Sequence, residues 1–281
     1  MSAPLSKIRC EKWTLELNPG GDESFRQALI KDAMAAVNGE TPGLVRRSRY
    51  AATYRNRVGG RLPDNPYPIV FLKLFDPPRG LATIGRITMG SRARRAANAA
   101  QRLKAAGFEV PESLVVGEEG RSGRALLITR QVDGEMLPRF LDQCGLKSRR
   151  ETLRALGHEV GRLHRAGLIH GDLTPFNIFV RHGEPARFVF IDHERTGRAR
   201  MLIGRERREL RNLVQLGHFK IAHIGRTDRM RVFRAWAQAR GIDRWRSVMH
   251  RAARMLEIRV TRDVARFGLT AIRAASLLER V

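Results

Sequence analysis

The spacing of apolar residues changes period along the chain, and the changes mark its elements. Trp13, Leu15 and Leu17 alternate as in a short strand before Asn18-Pro19-Gly20-Gly21, and Ser24 to Val37 fits a helix. From Leu44 the pattern is β. Segments 44–50 and 52–58 predict a hairpin, and Gly59-Gly60 with a Pro-rich turn leads to a third strand, Pro68–Phe75, PIVFLKLF. Helical spacing returns at Ser91–Ala106, SRARRAANAAQRLKAA. Ser91 is a suitable N-cap, Ala93, Ala96, Ala97, Ala100 and Leu103 form one small-residue face, and Gly107 ends the helix. Strands follow at Ser113–Gly117 and Ala125–Arg130.

Gln131–Met136, with Gly134 among polar residues, reads as a boundary. Beyond it Arg149–Gly167 is a long amphipathic helix with Leu153, Leu156, Val160 and Leu163 on one face and His164 beside it as a packing or loop-supporting residue. From Arg205 the pattern is helical again, over 205–224, 227–240, 245–258 and 262–278, with Trp236 and Trp245 as core residues. The expected organisation is an N-terminal extension (1–43), a β-rich segment (44–130) and a larger helical segment (131–281).

Charge narrows the partners. Lys and Arg number 53 against 28 Asp and Glu, a formal net charge of +25. A field of that size concentrates polyanions such as nucleic acid, anionic headgroups or a phosphorylated glycan. No aromatic–basic pattern of an RNA-recognition sheet accompanies it, so no specific nucleic-acid partner is expected. Cys10 and Cys144 are too few for a disulfide framework and lack the clustering of a zinc site. The N-terminus has no signal-peptide core and no apolar run reaches the roughly 18–20 residues of a membrane span, so the protein is expected to stay where it is made.

The chemistry concentrates in Leu168–Asp192. His170, Asp172 and Asn177 stand in the order H-x-D-x-x-x-x-N, and an apolar strand, Phe188–Ile191, delivers Asp192. That layout suits transfer of a phosphoryl group from ATP. Asp172 is expected to orient the attacking hydroxyl and take its proton, Asn177 and Asp192 to hold Mg2+ against the ATP phosphates, and His170 to support the loop. A compact hairpin turning at His182-Gly183-Glu184-Pro185 would bring Asn177 and Asp192 together. Lys73 interrupts the third strand and can reach the α and β phosphates of ATP. The 44–58 hairpin contains no G-x-G-x-x-G, so arginine or backbone amides near Arg47-Ser48-Arg49, with Ser48 and Arg49 foremost, would have to cover the phosphates. A P-loop NTPase is not supported, since G-x-x-x-x-G-K-[ST] is absent. Seven arginines between Arg195 and Arg211 are placed to meet a phosphoryl acceptor.

With these residues the chain resembles the lipopolysaccharide kinase family, the Kdo and core-heptose kinases, of the protein-kinase-like superfamily. The resemblance lies in LKLF around Lys73, SRARRAANAAQRL, LGHEVGRLHRAGLIHGDLTPFNIFV, FVFIDHERT, and RRELRNLVQLGHF with TDRMRVFRAW. It implies an α+β, two-lobed fold, with a small β-rich ATP lobe and a larger helical lobe. It also implies phosphorylation of a sugar hydroxyl of the lipid A–inner core acceptor at the cytoplasmic face of the inner membrane, with peripheral association to that anionic surface. Lys73 would anchor phosphate, Asp172 would be catalytic, and Asn177 and Asp192 would hold metal. Alternatives are a small-molecule or protein kinase of the same superfamily, against which stand the basicity and the absent Asp-Phe-Gly and Ala-Pro-Glu segments, and a nucleic-acid-binding or regulatory pseudokinase. Three positions depart from the family. No acid stands near Ala96 to pair with Lys73, leaving Glu109 or Glu112 as substitutes. Arg130 ends the hinge strand where an acid is usual, and His193 follows the metal Asp where an aromatic is common.

Overall fold

Alternating apolar residues build one antiparallel sheet from seven short strands. They are β1 (Ser6–Cys10), β2 (Trp13–Leu17), β3 (Leu44–Arg47), β4 (Ala51–Arg57), β5 (Ile69–Phe75), β6 (Ser113–Glu119) and β7 (Ala125–Arg130), in the spatial order β1-β2-β6-β7-β5-β4-β3. The structure is a computed structural model that describes residues 6–18, 22–48, 50–59, 68–77, 90–120, 122–181, 183, 186–198, 204–218, 221 and 223–278. It falls into two units, Met1–Lys104 with Val110–Val132, and Ala105–Glu109 with Asp133–Val281.

In the first unit each face of the sheet has its own helix. Helix α1 (Glu23–Asn38) starts where the Asp22 carboxylate accepts the Phe25 N–H at 2.7 Å and stops at Gly39 in the left-handed region. Its Phe25, Leu29, Ala33 and Ala36 share a core with Trp13, Leu15 and Leu17 and with Val70, Leu72 and Leu74 of β5. Residues of the opposite strand parity, Ala51, Phe75, Val116, Ala125 and Leu127, pack with Ala93, Ala96 and Ala97 of α2 (Arg92–Ala105). The segment expected as an extension thus supplies two strands and a helix to the sheet unit. Arg94 ties α2 to the sheet through ion pairs with Glu16 of β2 and Glu118 of β6. Hydrogen bonding to Arg94 first of all holds the buried Glu16 carboxyl below the usual carboxylate range.

The second unit is mostly helical. It contains β8 (Glu135–Met136), α3 (Leu137–Gln143), α4 (Leu146–Arg165), β9 (Leu168–Ile169), β10 (Ile178–Arg181), β11 (Arg187–Phe190), β12 (Gly197–Arg198), α5 (Arg205–His218), α6 (Arg226–Arg240) and α7 (Trp245–Leu278). The two helices expected at 245–258 and 262–278 are one. The intervening Arg-Val-Thr has no breaker, and Arg259 pairs with Asp263 one turn on at 3.7 Å. Helix α5 ends at His218, short of the expected 224, beside Gly217. Trp236 is fully buried as expected, whereas Trp245 is half-buried beneath the Arg246 guanidinium, 5.1 Å from its ring.

Helices α4 and α6 approach closely because α4 carries Gly157 and Gly161 one turn apart. A Cβ at Gly157 would lie 2.3 Å from the Val232 carbonyl oxygen and 2.7 Å from Ala235 Cβ, and one at Gly161 would lie 2.5 Å from Ala239 Cβ. Further along the same seam a hydrogen-bonded chain crosses the unit. Trp236 Nε1 donates to His164 Nδ1 at 2.9 Å, so the proton of the neutral ring sits on Nε2, which donates to Asn212 Oδ1 at 3.1 Å. Burial is the main cause that pushes the His164 imidazole down to about 4, and the Arg240 and Arg205 charges push the same way.

A β-rich unit and a helical unit make the fold α+β and two-lobed, of the protein-kinase-like class. Two consequences are measurable. Gly157→Ala should lower the urea midpoint with an unchanged m-value: overpacking costs about 1–3 kcal/mol, more than the roughly 0.5–1 kcal/mol that alanine gains over glycine inside a helix. His164 should make stability fall with acid. Its folded value of about 4 lies below the ordinary 6.5, so the unfolded chain binds the proton first. The stabilisation is complete above pH 6.5 and is lost as pH falls towards 4, by about 3 kcal/mol. His164→Gln should remove that share of the slope of unfolding free energy against pH. An unaltered slope would show that His164 is not the group responsible.

Candidate active site

The chain leaves α4 through Gly167 and enters β9, which pairs antiparallel with β12 so that Ile169 faces Gly197. This strap fixes both ends of the segment that carries His170, Gly171 and Asp172. At Gly171, φ is +76° and a Cβ would lie 2.3 Å from the Arg195 carbonyl oxygen, so glycine is required for conformation and for space. A 3-10 turn, Pro175–Asn177, then hands the chain to β10. Ile178 pairs with Phe190 of β11, which puts Asn177 and Ile191 just past the last pair, where Ile191 N–H donates to the Asn177 carbonyl at 3.0 Å. Asp192 follows in the left-handed region (φ 63°, ψ 61°) at the start of the 3-10 turn His193–Arg195. Asn177 and Asp192 are therefore brought to the same end of one hairpin. Within its turn, His182, Glu184 and Pro185 lie outside the described residues.

His170 fastens the loop to the segment that follows β11. Its buried ring donates from Nε2 to the Ile191 carbonyl at 2.9 Å, and its own carbonyl accepts from Thr196 Oγ1 at 2.8 Å. Burial lowers its pKa, which keeps the ring neutral. His193, the departure from an aromatic, is buried 5.3 Å from the His170 ring in an edge contact. Burial, and after it the neighbouring His170, push His193 down to about 3, so it packs as an uncharged ring.

Two residues of the supporting frame escaped the sequence reading. Asn212 Oδ1, which accepts from His164, also accepts the backbone N–H of His170 at 3.2 Å. One turn on, Gln215 spans the loop. Its Nε2 donates to the Gly171 carbonyl at 3.3 Å and to Asp172 Oδ1 at 3.4 Å, while its Oε1 accepts the Leu173 N–H at 3.3 Å and Asn212 Nδ2 at 3.2 Å. Their spacing of three, which sets the two polar side chains next to each other on one side of the helix, was the available signal.

The carboxamide of Asn177 donates Nδ2 to the Asp172 carbonyl at 2.9 Å, which turns its Oδ1 away from that bond as an oxygen ligand. That oxygen and the half-buried Asp192 carboxylate are the two that could hold a metal at this end of the hairpin. Mg2+ suits such a set, since it keeps waters and substrate phosphates as its other ligands. Among the described residues, no group of three or more His, Cys, Asp and Glu could hold a metal by itself.

In the sheet unit, Lys73 sits on the α2 side of β5 between Thr53 and Leu127, with Nζ 5.4 Å from the Phe75 ring centroid. The two acids expected as substitutes have partners of their own. Glu109 pairs with Arg181 and Arg187 at 3.1 and 3.5 Å in the helical unit, and Glu112 accepts from Asn18 Nδ2 at 3.1 Å. Ala96 is itself buried against the sheet. The hydroxyl of Ser48 is engaged in its own turn, donating to the Ala51 carbonyl at 3.1 Å and accepting the Tyr50 and Ala51 N–H groups at 3.3 and 3.1 Å. Arg49 lies outside the described residues.

Comparison with known proteins redirects the expected acceptor. The chain is 26% identical over 149 residues to the KEOPS complex subunit Bud32 of Pyrococcus abyssi, covering 53% of this chain and 64% of that protein. It is 30% identical over 151 residues to a probable bifunctional tRNA threonylcarbamoyladenosine biosynthesis protein of Methanothermobacter thermautotrophicus, covering 54% of this chain and 25% of that protein. Over 54 residues it is 41% identical to the EKC/KEOPS complex subunit BUD32 of Yarrowia lipolytica, 19% of this chain and 21% of that protein. The chain thus covers less than two thirds of each. These relatives are not core-sugar kinases, which corrects the expected Kdo and core-heptose branch and its lipid A–inner core acceptor. The expected anionic inner-membrane partner and the peripheral placement at that membrane rested on the same acceptor and fall with it. Among the described residues no helix is long and apolar enough to cross a membrane. The fold and these relatives support kinase-like use of ATP in general. The sequence model described as lipopolysaccharide kinase (Kdo/WaaP) family matches residues 86–236, more than half of the 281-residue chain, and the chain belongs to that family.

Proposed function

We propose that this chain is a Bud32-like ATP enzyme that transfers the γ-phosphoryl group to a hydroxyl, water included, and that it serves a tRNA-modifying assembly of the kind its relatives are named for. The observation that carries the reading is the loop frame: Asp172 and the Asn177–Asp192 oxygen pair are held by Asn212, Gln215, His170 and the Asn177–Ile191 hydrogen bond. Asp172 orients the attacking hydroxyl and accepts its proton as the bond to the γ-phosphorus forms and the bond from that phosphorus to the oxygen of the leaving ADP breaks. Gln215 holds one carboxylate oxygen of Asp172 and, through the Gly171 carbonyl and the Leu173 N–H, fixes the backbone on either side. Asn177 and Asp192 would hold Mg2+, whose charge offsets that of the phosphates. Lys73 is assigned the α and β phosphates. Positioning and charge, more than covalent chemistry, supply the rate in such a reaction.

Purified protein given Mg-ATP labelled on the γ-phosphate should transfer or release the label. Asp172→Asn and Asp192→Ala should each cut turnover by about 100-fold or more while the unfolding midpoint stays near wild type. An Asp172→Asn protein that turns over at the wild-type rate would remove the assigned base. In cells lacking the chain, threonylcarbamoyladenosine in tRNA should fall and return with the wild-type gene but not with Asp172→Asn. Unchanged tRNA would sever the link to that modification and leave a kinase with another acceptor.

A further inference from the structure

The hairpin of β3 and β4 lacks a glycine-rich turn, yet its tip is gripped from a neighbouring helix. Arg92, the first residue of α2, donates Nη1 to the Tyr50 carbonyl at 3.1 Å. That carbonyl also accepts the Asp76 N–H at 3.0 Å, so the tip, the end of β5 and the start of α2 meet at one oxygen. The Arg92 guanidinium carbon lies 5.9 Å from the Tyr50 ring centroid and 5.0 Å from that of Phe75. Lys73 Nζ lies 5.4 Å from the same Phe75 centroid. Two cations from different elements therefore converge on one buried ring beside the hairpin tip.

We infer that Arg92, together with Lys73, is the phosphate anchor for the nucleotide, in the place of a glycine-rich loop; this rests on the ATP reading above. A glycine loop binds phosphate with backbone N–H groups, but here the tight turn uses Ser48 N–H and its hydroxyl on Ala51 and Tyr50. A guanidinium supplies coplanar donors and a permanent charge that match phosphate oxygens. Its bond to Tyr50 sets the plane of the fork, and the two aromatic rings limit its rotamers, which lowers the entropy cost of capturing an anion. Helix α2 itself contains no acid from Arg92 to Ala105. The missing acid near Ala96 is thereby explained: where the family pairs the strand lysine with a helix carboxylate, this chain places a second cation.

The test is calorimetric binding of Mg-ATP and of adenosine to the full chain, as wild type, Arg92→Gln and Lys73→Met. Glutamine keeps an N–H donor for the Tyr50 carbonyl but loses the charge. Arg92→Gln should weaken Mg-ATP by about tenfold or more and leave adenosine within about twofold of wild type, and Lys73→Met should show the same selectivity. Arg92→Lys, with charge but no fork, should fall between. Arg92→Gln that binds Mg-ATP like wild type overturns the Arg92 anchor alone. Loss of ATP and adenosine together overturns it too, because a hairpin-bracing role would act on both. A wild-type protein that binds neither ligand overturns the kinase reading and the anchor with it.

Discussion

One carboxamide oxygen carries the loop. Asn212 Oδ1 accepts from the His164 ring and from the backbone N–H of His170, and so joins α4, α5 and the strand that opens the loop. Neither donor has water to turn to, since His164 and His170 are both fully buried. Removing the acceptor would leave two buried donors, each costing about 1–3 kcal/mol. A carboxylate could accept the same two bonds. It would also add a negative charge to the frame that holds Asp172 and Asp192, and like charges raise each other's pKa. The amide gives the geometry without the charge, and Gln215 repeats the device one turn later on Asp172 itself.

The same economy of charge governs the arginines. Formal net charge suggests a uniformly basic surface, but several of the cations are internal fasteners. Glu209 is 1% exposed and would be untenable alone; Arg205 at 2.8 Å and Arg240 at 3.2 Å neutralise it. Arg205 also donates to the His164 and Arg165 carbonyls at the C-terminal end of α4, where a positive charge opposes the helix dipole. Arg94 does comparable work in the sheet unit. Of the basic run read as an acceptor site, Arg205 is the internal fastener, whereas Arg195, Arg198, Arg207, Arg208 and Arg211 face solvent.

Local pattern was legible and distant pairing was not. Strands β2, β4 to β7, β10 and β11 and helices α1, α2, α4 and α6 announce themselves by period, because each buries one face within its own length. Strand β1 (SKIRC) and helix α3 (LPRFLDQ) are too short and too polar to carry a period. That residues 6–38 join the sheet depends on β2 pairing with β6 about a hundred positions later, which no local window contains. In the site, His170, Asp172, Asn177 and Asp192 stand close in sequence and were read together. Asn212 and Gln215 lie some forty residues beyond the loop, and nothing local in an arginine-rich helix sets them apart from its exposed polar residues. Ser48 was read for the right hairpin, but its hydroxyl closes the turn, as serine side chains often do.

The acceptor was misread for a physical reason. One of the words that carry the resemblance, RRELRNLVQLGHF, is almost wholly helical. In the structure three of its polar members are engaged in the frame: Glu209 binds Arg205 and Arg240, Asn212 holds His170, and Gln215 holds Asp172. A helix so occupied reports how the loop is supported, and any hydroxyl acceptor needs that support equally. Such residues can therefore be shared by enzymes whose acceptors have nothing in common, which is why the chain fits a family named for lipopolysaccharide while matching proteins named for tRNA modification. Discrimination among acceptors has to reside in side chains that the loop frame does not use.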